Sequence, residues 1–394
     1  MTPTLILITT FYLLLVAFLI YGWKNVKVFR PRHKEPTHKF SIVIPYRDEA
    51  NNLPHLLDSF LNLEYPYTHY EILLVNDASA DNSRKICADF RNDHPYFNIC
   101  LLENKRLTGA PKKDAINTAV SKAMFDHIIT TDADCILPPY WLQAFDEMLE
   151  ETGALLIAGP VRIYPGRQEQ DPASNQSWER KRAARSKKHL YAFQEMDFMS
   201  LQAAGVGAFG LGRPFMANGA NLCYSREAFI RVGRFQGNEE ITSGDDVFLL
   251  QKFNKNGLRT GFLKCRDAVV LTRPQPDLTS LISQRIRWAA KTPAYHSMFA
   301  KATSLIVLLM NFSLIACTFL VFIEMMPYEP VLYAFLAKFL ADLILLYLAA
   351  GFFRRKEILR NYFWSSLVYP FFSSAVAIMS LFRKFEWKGR PGSK

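Results

Sequence analysis

The sequence predicts an α/β domain with a mostly parallel sheet, set between membrane-spanning helices near both ends of the chain. Three observations carry the prediction. Mean hydropathy is zero although half of the 394 residues are apolar, as when a watery part and an oily part are averaged. Apolar runs long enough to cross a bilayer lie towards both termini. Between them, short β-branched runs alternate with helix-compatible stretches, the pattern of βαβ units. Composition also narrows the function. Charged residues at 21% and aromatics at 14% exclude a disordered or low-complexity chain. The six cysteines form no C-x-x-C pair, which excludes a structural zinc site of the usual spacing and argues against a disulfide-stapled secreted domain. A formal net charge of +11 calls for a phosphate-rich partner, a membrane surface, or both.

Taken in order, residues 1–23 read as a transmembrane anchor, since 3–23 is an almost unbroken apolar run without a charge. No Lys or Arg precedes it and no small-residue cleavage site follows, so it is not a signal peptide. Residues 24–39 are a basic juxtamembrane linker in which Lys24, Lys27, Arg30, Arg32, Lys34 and Lys39 face only Glu35. The positive-inside rule then puts the N-terminus outside and the following chain in the cytosol. The protein is expected to be a multi-pass membrane protein, in the inner membrane if the cell is bacterial. Residues 40–300 are the cytosolic domain. Runs at 40–45, 70–75 and 127–131 read as strands, and stretches at 51–63, 79–91 and 112–125 as the intervening helices.

Within that domain, the basic-then-apolar segment from Glu179 to Phe198 reads as a helix lying in the bilayer interface. Its membrane flanks argue against a nucleic-acid partner. The glycine-rich stretch 205–212 reads as a flexible loop near the acceptor. Residues 301–382 hold three further apolar runs, at 303–326, 331–353 and 362–382. The second contains Lys338 and Asp342, one helical turn apart, which suits an internally paired contact more than a polar relay. Arg354, Arg355, Lys356 and Arg360 form a second cytosolic mark. Were the third run to span, the basic tail 383–394 would lie outside, against the positive-inside rule. Pro370 and its neighbouring serines therefore suggest a broken or re-entrant segment that returns the tail to the cytosol.

Open α/β sheets bind ligands beyond the carboxyl ends of their strands. Acidic residues sit there: Asp48-Glu49 after the first strand, Asn76-Asp77 after the second, and Asp132 and Asp134 after the third. Asp245-Asp246 follow much later, at a helix start after Gly244. No G-x-G-x-x-G follows these strands and no G-x-x-x-x-G-K-[ST] occurs, which disfavours a dinucleotide fold and a P-loop. Carboxylates facing phosphates need a bridging divalent cation, and oxygen ligation with open positions suits Mg²⁺ or Mn²⁺.

Asp77, the D-x-D of Asp132 and Asp134, the pair Asp245-Asp246, and Gln284-Arg285-Ile286-Arg287-Trp288 occur in that order. A D-x-D arises about once by chance in a chain this long and acidic, whereas Q-x-x-R-W arises about once in a hundred such chains. Over 40–300 the chain resembles the membrane-integrated family 2 glycosyltransferases: cellulose, chitin, hyaluronan and poly-N-acetylglucosamine synthases and ceramide glucosyltransferase. The flanking helices match in layout, and the stretch from Trp387 to Arg390 resembles the basic tail of such enzymes.

The resemblance implies a GT-A-like nucleotide-sugar-binding domain and inverting transfer from a UDP-sugar to a hydroxyl of a growing polysaccharide or a membrane glycolipid. Within it, Asp77 would accept from a uracil imide or ribose, or else merely cap its loop. Asp134 would be the metal ligand, with Asp132 nearer the ribose and diphosphate; a helix N-cap is the plainer reading. Glu49 would lie near the nucleotide or equally stabilise the next helix. Lys113 would approach the diphosphate, or be a solvated helix lysine. Asp246 is the candidate general base, against the plainer reading of a capped helix start. Asp245 stands where the family usually has Glu, and Leu249 keeps the register. That shorter arm puts in doubt any acceptor contact needing the longer one.

Gln284, Arg287 and Trp288, at i, i+3 and i+4, would share one helix face and offer an amide, a guanidinium for the diphosphate and an indole for a sugar ring. The bland alternative is an interfacial helix with Arg285, Arg287 and Trp288 at the headgroups. About four spans are few for a polymer channel, so a second copy or an accessory subunit would complete one; the alternative is a single-sugar lipid glycosyltransferase. The F-x-V-T-x-K pattern of cellulose synthases is missing. Outside the class stand an inactive membrane scaffold, disfavoured because Asp134, Asp246 and Arg287 are all present, and a transporter component, disfavoured because no repeated broken spans occur.

Overall fold

A computed structural model describes residues 2–164, 178–382, 386–387 and 390–391, without the side chains of 178–186 and of the tail. Along the chain run α1 (Thr2–Asn25), β1 (Phe40–Tyr46), α2 (Leu53–Phe60), β2 (Tyr70–Asn76), α3 (Ser83–Asp93), β3 (Ile99–Glu103), α4 (Pro111–Val120) and β4 (His127–Thr130). Then come α5 (Trp141–Thr152), β5 (Leu156–Ala158), β6 (Val161–Ile163), α6 (Trp178–Gly210), β7 (Leu222–Ser225), α7 (Arg226–Arg231), α8 (Asp245–Lys255), β8 (Thr260–Phe262) and β9 (Val270–Thr272). Helices α9 (Leu278–Ala289), α10 (Met298–Phe322), α11 (Glu329–Phe352) and α12 (Tyr362–Phe382) complete the described core, with the short strands β10 (Glu386–Trp387) and β11 (Arg390–Pro391) in the tail. These segments sort into two compact units, residues 27–162, 214–273 and 384–394 in one and 1–26, 163–213 and 274–383 in the other.

The first unit is built on a seven-stranded sheet in the order β3-β2-β1-β4-β7-β5-β8. Strands β1 to β4 are parallel, and β7 runs antiparallel to both neighbours. Strands β1 and β2 read as continuous apolar runs because helices cover both faces of a parallel sheet; Ile42, Val43, Ile44, Leu73 and Leu74 are fully buried. The strand order reverses between β1 and β4, so a crevice opens at their carboxyl ends, where α/β folds bind ligands. The linker before β1 is strapped to α5 through its backbone more than its charges. Glu147 accepts from the amides of Arg32 (2.6 Å) and Lys34 (3.2 Å), and Asp146 accepts from those of Thr37 and His38.

The second unit holds α1, α6 and α9 to α12. Helices α1, α10, α11 and the segment Lys356–Phe382 are long and apolar enough to cross a membrane. The helix α12 runs unbroken through Pro370, so the expected break or re-entrant turn is not formed. Proline is tolerated in such helices because neighbouring groups satisfy the carbonyl it frees. Lys338 and Asp342 pair as expected, at 2.5 Å, and the Tyr12 hydroxyl of α1 donates to Asp342 at 2.6 Å.

Stretch 205–212 is not a loop. Residues up to Gly210 continue α6, and the glycines serve close packing against α1. A Cβ on Gly207 would stand 2.5 Å from the Leu19 carbonyl oxygen, and Gly22 and Gly210 are more crowded still. Small residues let membrane helices approach in this way. Gly207→Ala should therefore cost about 1–3 kcal/mol by overpacking, seen as a lower unfolding midpoint in detergent. Gly351→Ala, whose Cβ would meet only Lys356 Cε at 3.5 Å, should leave that midpoint unchanged.

Candidate active site

The loops leaving β1 and β2 are laced together at the crevice. The Asp77 amide donates to the Tyr46 carbonyl, and Arg47 Nη1 donates to the carbonyls of Asp77 (2.9 Å) and Ala78 (3.0 Å). Asp48 accepts from the Ala80 amide at 2.7 Å, and the Glu49 amide donates to Ser83 Oγ at 2.8 Å. Asp48 and Ala78 both hold positive φ, 50° and 53°, a conformation unusual for L-residues that clusters where surroundings enforce it. Glu49 accepts from its neighbour Asn52 at 2.6 Å. The Asp77 carboxylate is buried, and its Oδ1 accepts from Arg106 Nε (2.7 Å) and Asn104 Nδ2 (2.8 Å). Neither partner stands out in the sequence, because both follow β3, a strand with no flanking motif.

At the end of β4 the charges converge. Lys112, in the first turn of α4, places Nζ 2.7 Å from Asp132 Oδ1 and 3.3 Å from Asp245 Oδ2. Burial alone would lower its pKa, but Asp132, Asp245 and Asp246 together raise it, so the ammonium stays charged. Asp245 and Asp246 open α8 after Gly244, which takes φ 82°. Asp246 Oδ2 accepts from the Gly219 amide at 3.0 Å, and Oδ1 from Val247 at 2.7 Å. Thr130 Oγ1 of β4 donates to the Gly219 carbonyl at 2.8 Å. A Cβ at Gly219 would stand 2.8 Å from Asp245 Oδ2 and 3.2 Å from Lys112 Nζ, so a larger residue there would push these two side chains aside. Both Lys112 and Gly219 went unread in the sequence.

Lys113 is turned elsewhere. It is buried, donates to the carbonyls of Asn238 (2.7 Å) and Ile241 (2.8 Å), and faces the Phe248 ring at 5.0 Å. The lysine that touches Asp132 and Asp245 is Lys112, one position before the Lys113 expected at the diphosphate. Lys113 is also no solvated helix lysine.

Asp134 has its carboxyl pushed up to about 6, first by burial and then by the carboxylates of Asp132 and Glu49. Thr272 Oγ1 donates to it at 3.3 Å. A carboxyl raised in this way suits a divalent cation, whose charge would relieve the repulsion. Among the described residues no three His, Cys, Asp or Glu side chains close around an ion. Asp132 and Asp134 would therefore supply one or two oxygens and leave the rest to water and phosphate, as Mg²⁺ prefers.

The Q-x-x-R-W residues lie on α9, in the unit of the membrane helices. Gln284, Arg287 and Trp288 are half-buried. Arg285 is not at a headgroup surface: it is 5% exposed and paired with Asp197 of α6 at 2.6 Å. The basic start of α6 lies outside the described side chains.

Comparison with known proteins gives this arrangement its family. A model of glycosyl transferase family 2 matches residues 41–205, and one of glycosyl transferase family group 2 matches residues 127–354, more than half of the chain. The chain belongs to glycosyl transferase family group 2. Among curated relatives of this glycosyl transferase chain, poly-beta-1,6-N-acetyl-D-glucosamine synthase of Staphylococcus epidermidis is 29% identical over 109 residues, 27% of this chain and 25% of the relative. Undecaprenyl-phosphate 4-deoxy-4-formamido-L-arabinose transferase of Yersinia pestis is 36% identical over 129 residues, 32% of this chain and 38% of the relative. The matched region thus spans between a quarter and two-fifths of these relatives. The mannosyltransferase PcManGT from Pyrobaculum calidifontis, solved with GDP-Man and Mn²⁺, shares the fold. It aligns over 97% of this chain and 99% of its own at 18% identity, with a TM-score of 0.52.

Proposed function

We propose that this chain transfers a sugar, with inversion, from a UDP-sugar to a hydroxyl of a growing polysaccharide or a membrane glycolipid. The observation that carries the reading is the Asp132–Lys112–Asp245 cluster with Asp246 beside it at the head of α8. Asp246 takes the proton of the acceptor hydroxyl as that oxygen attacks the anomeric carbon and the bond to the diphosphate breaks. Two backbone amides, of Gly219 and Val247, fix the direction of its carboxylate.

Lys112 offsets charge as the diphosphate departs, and Asp77 and Glu49 border the nucleotide. A divalent cation held by Asp132 and Asp134 would supply further positive charge to the diphosphate. Gln284, Arg287 and Trp288 are assigned to the acceptor and diphosphate by their motif and spacing. The catalytic domain, 40–300, is assigned to the cytosol and the N-terminus to the outside by the basic residues after α1. Transfer of a single sugar to a lipid is the second reading, favoured by the four candidate spans among the described residues being few for a polymer channel and by the undecaprenyl-phosphate transferase among the relatives.

The test is UDP release by lipid-reconstituted protein against a panel of UDP-sugars with Mg²⁺ or Mn²⁺, with products sized in the same run. We expect release with one donor, abolished by a chelator and restored by the metal. A ladder would indicate a polymer and a single glycolipid band the second reading. No release and no UDP binding would remove the proposal altogether.

A further inference from the structure

Arg285 occupies one of the two unspecified positions of Q-x-x-R-W, yet it is buried where Gln284, Arg287 and Trp288 are half-buried. Its Nε donates to Asp197 Oδ2 at 2.6 Å, and both side chains are buried, at 6% and 5% exposure. Its Nη1 donates to the side-chain oxygen of Gln284. The carbon at the centre of its guanidinium lies 4.2 Å from the centroid of the Trp288 indole, whose other neighbour is the Phe198 ring at 6.1 Å. One planar cation is therefore anchored on α6 and touches both motif side chains that flank it.

We infer that Arg285, fixed by Asp197, is the positioning residue of this motif, setting the orientation of Gln284 and Trp288. A buried ion pair is poor evidence for stability, because apolar residues of similar volume often do as well. Only a guanidinium, however, can donate along two edges and stack by its face at once; a lysine ammonium is a point charge without a face. Residue 285 reaches Trp288 because i and i+3 lie on one helix side, and Asp197 and Phe198, adjacent on α6, hold the guanidinium and the indole respectively. Gln194, one turn earlier on α6, donates to the Gln275 carbonyl (3.0 Å) and accepts from its amide (2.8 Å), which pins the chain just before α9 begins. The helix α6 thus fixes both the entry to α9 and the residue that organises its motif.

The functional consequence rests on the proposed sugar transfer, whereas the geometry does not, and the experiment separates the two. Labelling with 5-fluorotryptophan gives one fluorine resonance for each of the six tryptophans, and Trp288→Phe assigns the one of interest. Arg285→Lys should move the Trp288 resonance, leave the other five in place, and lower sugar transfer by between about ten- and a hundredfold, as small misplacements do. An unmoved Trp288 resonance overturns the inference, and so does a moved resonance with wild-type transfer. Should all six resonances move, the fold has been lost. Asp197→Asn, which keeps the guanidinium and weakens its anchor, then carries the same test with the same overturning results. A wild-type protein that transfers no sugar removes the proposed function, while the resonance still decides whether Arg285 positions Trp288.

Discussion

Asp246→Asn should abolish sugar transfer, by about 10³-fold or more, the upper part of what a positioned general base contributes, while UDP affinity stays within a few-fold. Asn has the shape of Asp and keeps one oxygen to accept from the Gly219 or the Val247 amide. The other amide then faces an NH₂ group and loses its acceptor, a cost of about 1 kcal/mol that a stable fold absorbs. What the variant lacks is a lone pair basic enough to take the acceptor proton. Titration of UDP by calorimetry beside a turnover assay separates the two effects. Wild-type turnover in Asp246→Asn would take the base role away from this residue, and lost UDP binding would place it at the nucleotide.

The strand ends that form the crevice were legible in the sequence because β1, β2 and β4 are largely buried runs rich in Ile, Val and Leu, and each is followed by an acid. Strands β5 and β8 have three residues and β7 has four, too short to show a period, and β3 carries Cys100 and half-buried leucines in place of an apolar run. The partners of the acids were hidden for a different reason: they are far away in sequence. Gly219 meets Asp246 across 27 residues and Arg106 meets Asp77 across 29, and no local spacing encodes such contacts.

Lysines 112 and 113 show how one residue matters on a helix. Adjacent side chains diverge by about 100°, so Lys112 reaches Asp132 and Asp245 while Lys113 reaches the carbonyls of Asn238 and Ile241. The glycines of α6 misled in the opposite sense. Glycine disfavours an isolated helix, but between two apolar helices it permits a contact that any Cβ would forbid.

The two lysines give the second large effect, and they should separate cleanly. Lys112→Met removes a cation that lies within 3.3 Å of both Asp132 and Asp245. Those carboxylates then repel one another and the diphosphate, and one donor that offsets charge as the diphosphate leaves is lost. Turnover should fall by about 10²–10³-fold, the loss seen when one preorganised donor to a developing anion is removed. UDP affinity should fall with it, because like charge at the cluster repels the nucleotide.

Lys113→Met should act on folding instead. Methionine is apolar and of similar length, but it leaves the Ile241 carbonyl without its lysine donor and the Asn238 carbonyl with the Ile241 amide at 3.2 Å. That should cost about 1–3 kcal/mol, read as a lower unfolding midpoint, with turnover per folded molecule within a few-fold of wild type. Were Lys113→Met to abolish turnover while Lys112→Met left it intact, the diphosphate would belong to Lys113 after all. The loop at 238–241 that holds Lys113 would then have to release it when the donor binds.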